Sequence, residues 1–285
     1  MAFLKKTSSS TSLLFGIVTY KEKYWECNSY CSLISSFKLY RRDEVLNIFI
    51  FDNTDIDEWN LETKDLGNEI NVIYVNYRNP GISVAYNIIN DFAFKNSFKW
   101  VVYLDQDTLL PPEAYLIYSE KSIEDNQLLP LKAPIIYSNG KIMSPCLYKN
   151  YRSYAVHKFN ENTLQFEEYS CINSGLMISC DYFVQVGGYN TRLKIDFCDH
   201  DFIEKSKSYL KKIDLIDLKL HQNFSANTHT KTQALSRYKI FCKDMKQFCV
   251  NRNSFIIHVF VDLPHLIKLT FTFKTFDFIK IRITN

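Results

Sequence analysis

Asp105-Gln106-Asp107 puts two carboxylates directly after an apolar run, Trp100–Leu104 (WVVYL). A turn at the end of a strand lets both face a ligand. Hard oxygen donors of this kind suit Mg2+ or Mn2+, which commonly bind one or two carboxylates together with a diphosphate. Downstream, Asp196, Asp199, His200 and Asp201 gather at the start of an expected helix. A deprotonation step needs a carboxylate or histidine within hydrogen-bond reach of a hydroxyl, and this is the only acidic cluster beyond the diphosphate elements. Asp199 and Asp201 do not share a helical face, so at most one of them points at a given target. His221 closes another apolar run; it can add a nitrogen ligand to the metal or pack in the core.

Asn79-Pro80-Gly81, followed by Ala85 and Asn87, offers a second ligand element. Gly81 lets backbone approach a ligand closely, and the adjoining helix start supplies amide donors for phosphate. Asp52-Asn53 can accept hydrogen bonds from a base or ribose, or simply terminate a strand.

The elements that must position these residues alternate. Leu13–Thr19 (LLFGIVT), Val45–Phe51, Val72–Val75 and Trp100–Leu104 read as short buried strands. Helices are expected over Tyr24–Tyr40 and Ser83–Phe94. This alternation predicts an α/β domain with a mostly parallel sheet. In such sheets ligands sit outside the carboxyl ends of the strands, where Thr19, Asp52, Arg78, Asn79, Asp105 and Asp107 all fall. Beyond residue 130 strands are expected at Pro130–Tyr137, Ser170–Ser179 and Ile213–Leu220. A polar stretch between the first two can cap an acceptor, Gly187-Gly188-Tyr189 is a turn, and Leu193–Phe197 leads to a helix from Asp199 to about Tyr209.

The 285 residues are 46% hydrophobic and 23% charged, enough for a sizeable core and against disorder. A formal charge of +3 is too small an excess to suggest nucleic-acid binding. It is unevenly placed: Arg237–Asn285 holds nine basic and three acidic residues. Eight cysteines form no C-x-x-C pair, which points to reduced thiols in a cytosolic compartment. The expected organisation is a polar leader over 1–12, a catalytic domain over 13–230 and a helical extension over 231–285.

Taken in order, these motifs resemble family 2 glycosyltransferases of the GT-A fold. The features are Ile17-Val18-Thr19-Tyr20, Phe51-Asp52-Asn53, Asn79-Pro80-Gly81 with Ala85 and Asn87, Leu104-Asp105-Gln106-Asp107-Thr108, Ser174-Gly175, Gly187-Gly188-Tyr189 and Ile195-Asp196-Phe197-Cys198-Asp199-His200-Asp201-Phe202. They span about residues 13 to 225. The fourth and last of them further resemble bacterial rhamnosyltransferases that build O-antigen and other surface polysaccharides. The resemblance implies a Rossmann-like sheet flanked by helices and inverting transfer from a nucleotide-sugar donor, dTDP-rhamnose, to a lipid-linked saccharide acceptor. A UDP-hexose transferase of the same fold and a non-catalytic carbohydrate-binding scaffold are the alternatives.

Under that resemblance Thr19, Tyr20, Asp52, Arg78, Asn79, Gly81, Asn87, Asp105 and Gln106 bind the nucleotide-sugar. Asp105 and Asp107, with His221, hold the cation. Asp199 aligns with the catalytic base and Asp201 is its reserve, while Ser174, Gly175, Arg237 and Tyr238 approach acceptor or diphosphate. The chain departs from the family where an Arg-Asn pair often follows an Arg-Tyr. Here Arg237-Tyr238 is followed by Cys242-Lys243, and by Asn251-Arg252-Asn253 further on.

Phe255–Ile283 interleaves aromatic and aliphatic residues with Lys268, Lys274, Lys280 and Arg282. Such a basic amphipathic segment suits the surface of an anionic bilayer, or a helix packed on the domain. Pro264 splits the run, and both helix and strand fit its pattern. No window offers 18 uncharged apolar residues, so no spanning helix is expected. The expected location is the cytoplasm, peripherally on the inner face of a bacterial cytoplasmic membrane.

Overall fold

In a computed structural model of the chain, residues 12–40, 44–55, 68–123, 129–222 and 230–284 are described. The first elements are β1 (Leu13–Thr19), α1 (Asn28–Tyr40), β2 (Leu46–Asp52), β3 (Ile70–Asn76), α2 (Ile82–Lys95) and β4 (Trp100–Asp105). β1 and β2 are buried at every residue, and β4 at all but its last. Strands covered on both faces have no polar face to alternate, hence their near-continuous apolar sequence. β2 pairs β1 and β3, and β1 pairs β4, all in parallel.

Next come β5 (Thr108–Leu109), α3 (Ala114–Ile123), β6 (Leu131–Ser138), β7 (Lys141–Lys149), β8 (Arg152–Val156), β9 (Thr163–Gln165), β10 (Tyr169–Ser170) and β11 (Met177–Ser179). The main path of the sheet runs β3-β2-β1-β4-β11-β6-β7-β10. β11 is antiparallel to both β4 and β6. The chain continues through α4 (Cys180–Val186), α5 (Cys198–Ser206) and β12 (Lys212–Gln222). β12 runs parallel to β6 and antiparallel to β5, which brings its end beside the Asp105–Asp107 turn.

Two expectations change here. The polar stretch after β6 is built as strands β7 to β9, and the strand expected over Ser170–Ser179 is two short strands with a loop between them. Leu193–Phe197 is the loop that delivers α5.

Alternation along β1 sends Leu14 and Val18 to one core layer, and Leu13, Phe15 and Ile17 to the other. α1 and α3 cover the second layer through Leu33, Phe37, Tyr115 and Tyr118. α2, α4 and α5 cover the first. Gly16 is required by this packing, because a Cβ there would stand 2.6 Å from Ile89 Cγ2 on α2.

α6 (Lys231–Phe248) joins the first layer through Tyr238, Phe241, Cys242, Met245 and Phe248. Residues 231–284 thus share a continuous core with the sheet. α7 (Ser254–Ile257), a π turn (His258–Asp262) and α8 (Leu263–Phe273) form one unbroken helix, followed by α9 (Asp277–Thr284). Pro264 has no N–H to give the Phe260 carbonyl four residues back, and its ring would crowd that group. The π turn sits just before it, and Arg152 Nη1 donates to the Phe260 oxygen at 3.5 Å. The 20-residue helix Ser254–Phe273 is long and apolar enough to cross a membrane by length and composition alone, although Asp262 and Lys268 interrupt it. One of its charges, Asp262, is buried and accepts from Arg282 Nε at 2.7 Å.

Candidate active site

Backbone register brings the strand-end residues into line. Thr19 pairs with Asp52 and Asp52 with Asn76, while Asp105 lies beside Val18, one residue short of that row. Asp52 is buried; its Oδ1 accepts from Thr54 N (2.9 Å) and Thr54 Oγ1 (2.6 Å), and its Oδ2 from Tyr74 Oη (2.7 Å). Thr19 is buried, and its carbonyl accepts from Asn53 N at 2.7 Å. The Tyr20 side chain is exposed, and its N–H donates to Gln106 Oε1 at 2.5 Å, tying the ends of β1 and β4 together.

The loop before α2 adopts left-handed backbone at Arg78 and Asn79 (φ 54° and 57°), and Asn79 Nδ2 donates to Asp55 Oδ1 at 2.9 Å. At Gly81 (φ 109°) a Cβ would meet the Lys194 carbonyl oxygen at 2.7 Å, so only glycine fits. Ile82 N donates to that same oxygen at 2.8 Å.

Asp105 and Asp107 converge on one amide. Gln222 Nε2 donates to Asp105 Oδ2 at 3.0 Å and to Asp107 Oδ1 at 2.9 Å, and Tyr86 Oη donates to Asp105 Oδ1 at 2.9 Å. Burial pushes Asp107 up to about 6, and the neighbouring Asp105 charge adds to this. Asp105 is also raised, first by burial and further by Asp199; Tyr86 and Gln222 hold it down. Two carboxylates facing each other in a partly buried site favour protons or a cation.

Gln222 was missed in the sequence, and the signal was present. In β12 Ile216, Leu218 and Leu220 are buried, and the period of two continues to Gln222. His221 therefore takes the opposite face, where it is exposed and stacks on Tyr137 at 5.8 Å. The expectation of His221 as a metal ligand is corrected on that ground.

The donors present for a divalent cation are the two carboxylates and the Gln222 amide. Gln222 Oε1 is buried without a hydrogen-bond partner, and rotating the amide by half a turn would bring it to the two carboxylates as a third hard oxygen. This set fits Mg2+ or Mn2+, with the remaining positions left to phosphate and water. Among the described residues no group of three His, Cys, Asp and Glu side chains forms a metal site.

Asp199 opens α5, and its Oδ1 accepts from His200 N at 2.8 Å. Its charge adds to the rise of the Asp105 carboxyl, so the two groups interact although they come from separate elements. His200 is fixed between Ser170 Oγ (2.7 Å from Nδ1) and Ser153 Oγ (3.2 Å from Nε2), and stacks on Tyr148 at 4.5 Å. Phe197, left-handed at φ 65°, stacks on Phe248 of α6 at 4.7 Å. Asp244 of α6, also buried, accepts from Lys194 N (3.0 Å), Ile195 N (2.8 Å) and Asp196 N (2.8 Å). α6 thereby holds the loop that aims Asp199 and docks Gly81.

Several other expected contacts are taken up within the protein. Asp201 is buried and pairs with Arg252 (2.8 Å) and Lys205 (3.0 Å), so it is not a reserve base. Arg237 makes a two-pronged ion pair with Asp196 and is not free for a diphosphate. Tyr238 is buried among Phe241, His265 and Phe278. The Asn87 amide is fully engaged with the Tyr189 backbone, accepting from N at 2.8 Å and donating to O at 2.9 Å, so its role is to clamp the glycine turn. Ser174 is buried, with its Oγ 2.5 Å from Thr108 Oγ1. Gly175 packs where a Cβ would stand 2.5 Å from Pro134 and Leu220. Both support the Asp105 turn from beneath: the Asp105 N–H donates to Ser174 Oγ at 3.1 Å.

No family model and no curated protein matches the chain. Solved structures do. The chain is similar to GalNAc-T7, crystallised with UDP, GalNAc and Mn2+, at 16% identity and a TM-score of 0.56, over 76% of this chain and 45% of that one. The chain has the GT-A fold. It is also similar to residues 1–349 of S. aureus TarS, at 12% identity and a TM-score of 0.50, over 82% of this chain and 65% of that one. It spans less than two thirds of the length of either.

Proposed function

We propose that the chain is an inverting glycosyltransferase that moves a sugar from a nucleotide-sugar to an acceptor hydroxyl. The observation that carries this reading is the convergence of Asp105 and Asp107, at the end of β4, on the Gln222 amide, with the charge of Asp199 on α5 acting on Asp105. The acceptor hydroxyl gives its proton to the Asp199 carboxylate, and its oxygen forms a bond to the anomeric carbon. The bond from that carbon to the diphosphate breaks, and its electron pair leaves with the diphosphate. A divalent cation held by Asp105 and Asp107 would neutralise charge on the departing group. Asp52, Thr19 and Tyr20 border the nucleoside, and the loop at Arg78, Asn79 and Gly81 borders the diphosphate.

The donor we assign is dTDP-rhamnose, on the strength of Leu104-Asp105-Gln106-Asp107-Thr108 and the run from Ile195 to Phe202. The acceptor is a lipid-linked saccharide of bacterial surface-polysaccharide assembly, met at the cytoplasmic face of the membrane. A second reading, a UDP-hexose donor, is favoured by the likeness to GalNAc-T7, whose crystals hold UDP and GalNAc.

A thermal-shift panel of dTDP-rhamnose and UDP-hexoses, each with and without Mn2+, tests the assignment. Metal-dependent stabilisation by dTDP-rhamnose alone is expected. A preference for a UDP-hexose replaces the sugar, and no response from a folded chain to any donor overturns the transferase reading.

A further inference from the structure

Phe255, Val259, Leu263, Ile267 and Phe271 recur every fourth residue along the helix Ser254–Phe273, and all five are exposed, the two outer rings at 75% and 77%. A stripe with this spacing drifts by about 40° per repeat around an α-helix. The π turn His258–Asp262 closes wider hydrogen-bonded rings and so turns less per residue, which gives back part of that drift. The five side chains are thus held closer to one line than a regular helix would hold them. Phe276 and Ile283, also exposed, extend the apolar surface onto the segment that follows.

The other side of the same helix is committed to the protein. Ile257 is buried, Val261, Leu266, Leu269 and Phe273 pack on the core, and His265 lies against Phe241 at 4.6 Å. A helix that is apolar all round needs a second apolar environment, and an exposed patch of this kind marks an interaction surface.

Charge identifies the occupant. Of the three acidic residues after Arg237, Asp244 and Asp262 are buried and engaged, and Asp277 pairs with Lys231 (3.1 Å) and Lys280 (3.7 Å). Lys239, Lys243 and Lys246 line one exposed face of α6, and Lys268 and Lys274 flank the apolar stripe. Among the described residues none of these five has an acidic partner. Aromatic and aliphatic side chains, with unneutralised lysines on the same segment and on α6, match the acyl boundary and headgroups of an anionic membrane.

We propose that this face docks onto an anionic bilayer surface, with the helix lying along it. The stripe enters the acyl boundary and the lysines reach the headgroups. The helix does not cross, because its inner side remains packed on the catalytic core.

The test is sedimentation of the full chain with vesicles of phosphatidylcholine alone, or of phosphatidylcholine with phosphatidylglycerol, over a range of salt. No donor is needed, so the result is independent of the transfer reading. The chain should sediment with the anionic vesicles and be released by salt. Phe255→Asp with Phe271→Asp should abolish binding while circular dichroism stays unchanged. Lys239→Ala, Lys243→Ala and Lys246→Ala together should weaken binding roughly a hundredfold. The proposal is overturned by a folded chain that does not sediment, by equal binding to neutral vesicles at all salt, or by binding that resists alkaline carbonate as a spanning helix does. A dimer dispersed by the two Phe substitutions, without vesicle binding, overturns it in favour of self-association.

Discussion

The two sides of the site are held by different kinds of structure. Thr19, Asp52, Asn76 and Asp105 stand where parallel strands end, and backbone register fixes their spacing. Asp199 stands on a nine-residue helix, delivered by a loop that long-range polar contacts hold in place. Asp244 grips three of its amides, Arg237 pairs with Asp196, and Arg252 pairs with Asp201. One side is a property of the sheet, the other of a few side chains from α6 and the turn after it. Substitutions should therefore separate the two sides.

The largest effect is expected at Asp199, the proposed base. Asp199→Asn should lower turnover by about 10² to 10⁴-fold and leave nucleotide affinity nearly unchanged, as single-turnover transfer and calorimetry would read. Unchanged turnover would place the base elsewhere. Next is the clamp: Asp244→Asn removes acceptor capacity facing three amides and should cost about 2–4 kcal/mol by urea unfolding. Amide exchange should quicken at Lys194, Ile195 and Asp196 before it does in β1 or β4, and uniform quickening would dissolve the distinction between the two sides.

Asn87 links them, since it joins α2 to the Tyr189 turn. Asn87→Ala should cost about 1–2 kcal/mol without weakening donor binding beyond what stability explains. A selective loss of donor affinity would restore the nucleotide role that the sequence suggested.

The smallest effect concerns protons at the strand ends. The Asp107 carboxyl is raised from 3.8 to about 6, so the folded chain holds that proton more tightly than the unfolded one. Its stabilising contribution is complete below pH 3.8 and is lost as pH rises through about 6. A cation relieves the repulsion that appears above that value. Mn2+ should therefore raise Tm by more at pH 7.5 than at pH 5.5, and an equal gain at both would detach the cation from this pair.

The strand-end side was readable because its signals are local. β1 occupies the expected residues, and β4 extends the expected strand by one. Apolar runs ending in Asp or Asn mark strand termini without knowledge of what lies beside them. The Asp199 side was only partly readable. Its acidic cluster announced itself, and Lys205 four residues beyond Asp201 was a local hint, yet the decisive partner of Asp201 is Arg252, some fifty residues away in sequence, which no spacing rule encodes. The same holds for Arg237 and Tyr238, whose partners Asp196 and Phe278 lie far off in the chain. Gln222 is a different case, because the alternation of β12 already pointed inward at that residue.

The most direct test of the account is a calorimetric titration of dTDP and UDP, each with Mn2+, into the wild-type chain and into Asp107→Asn. The account predicts that one of the two nucleotides binds the wild type only when Mn2+ is present, and that Asp107→Asn weakens this binding at least tenfold, about 1.4 kcal/mol. Binding that ignores both Mn2+ and the substitution would contradict the assignment of the β4 carboxylates to a metal-dependent nucleotide-sugar site.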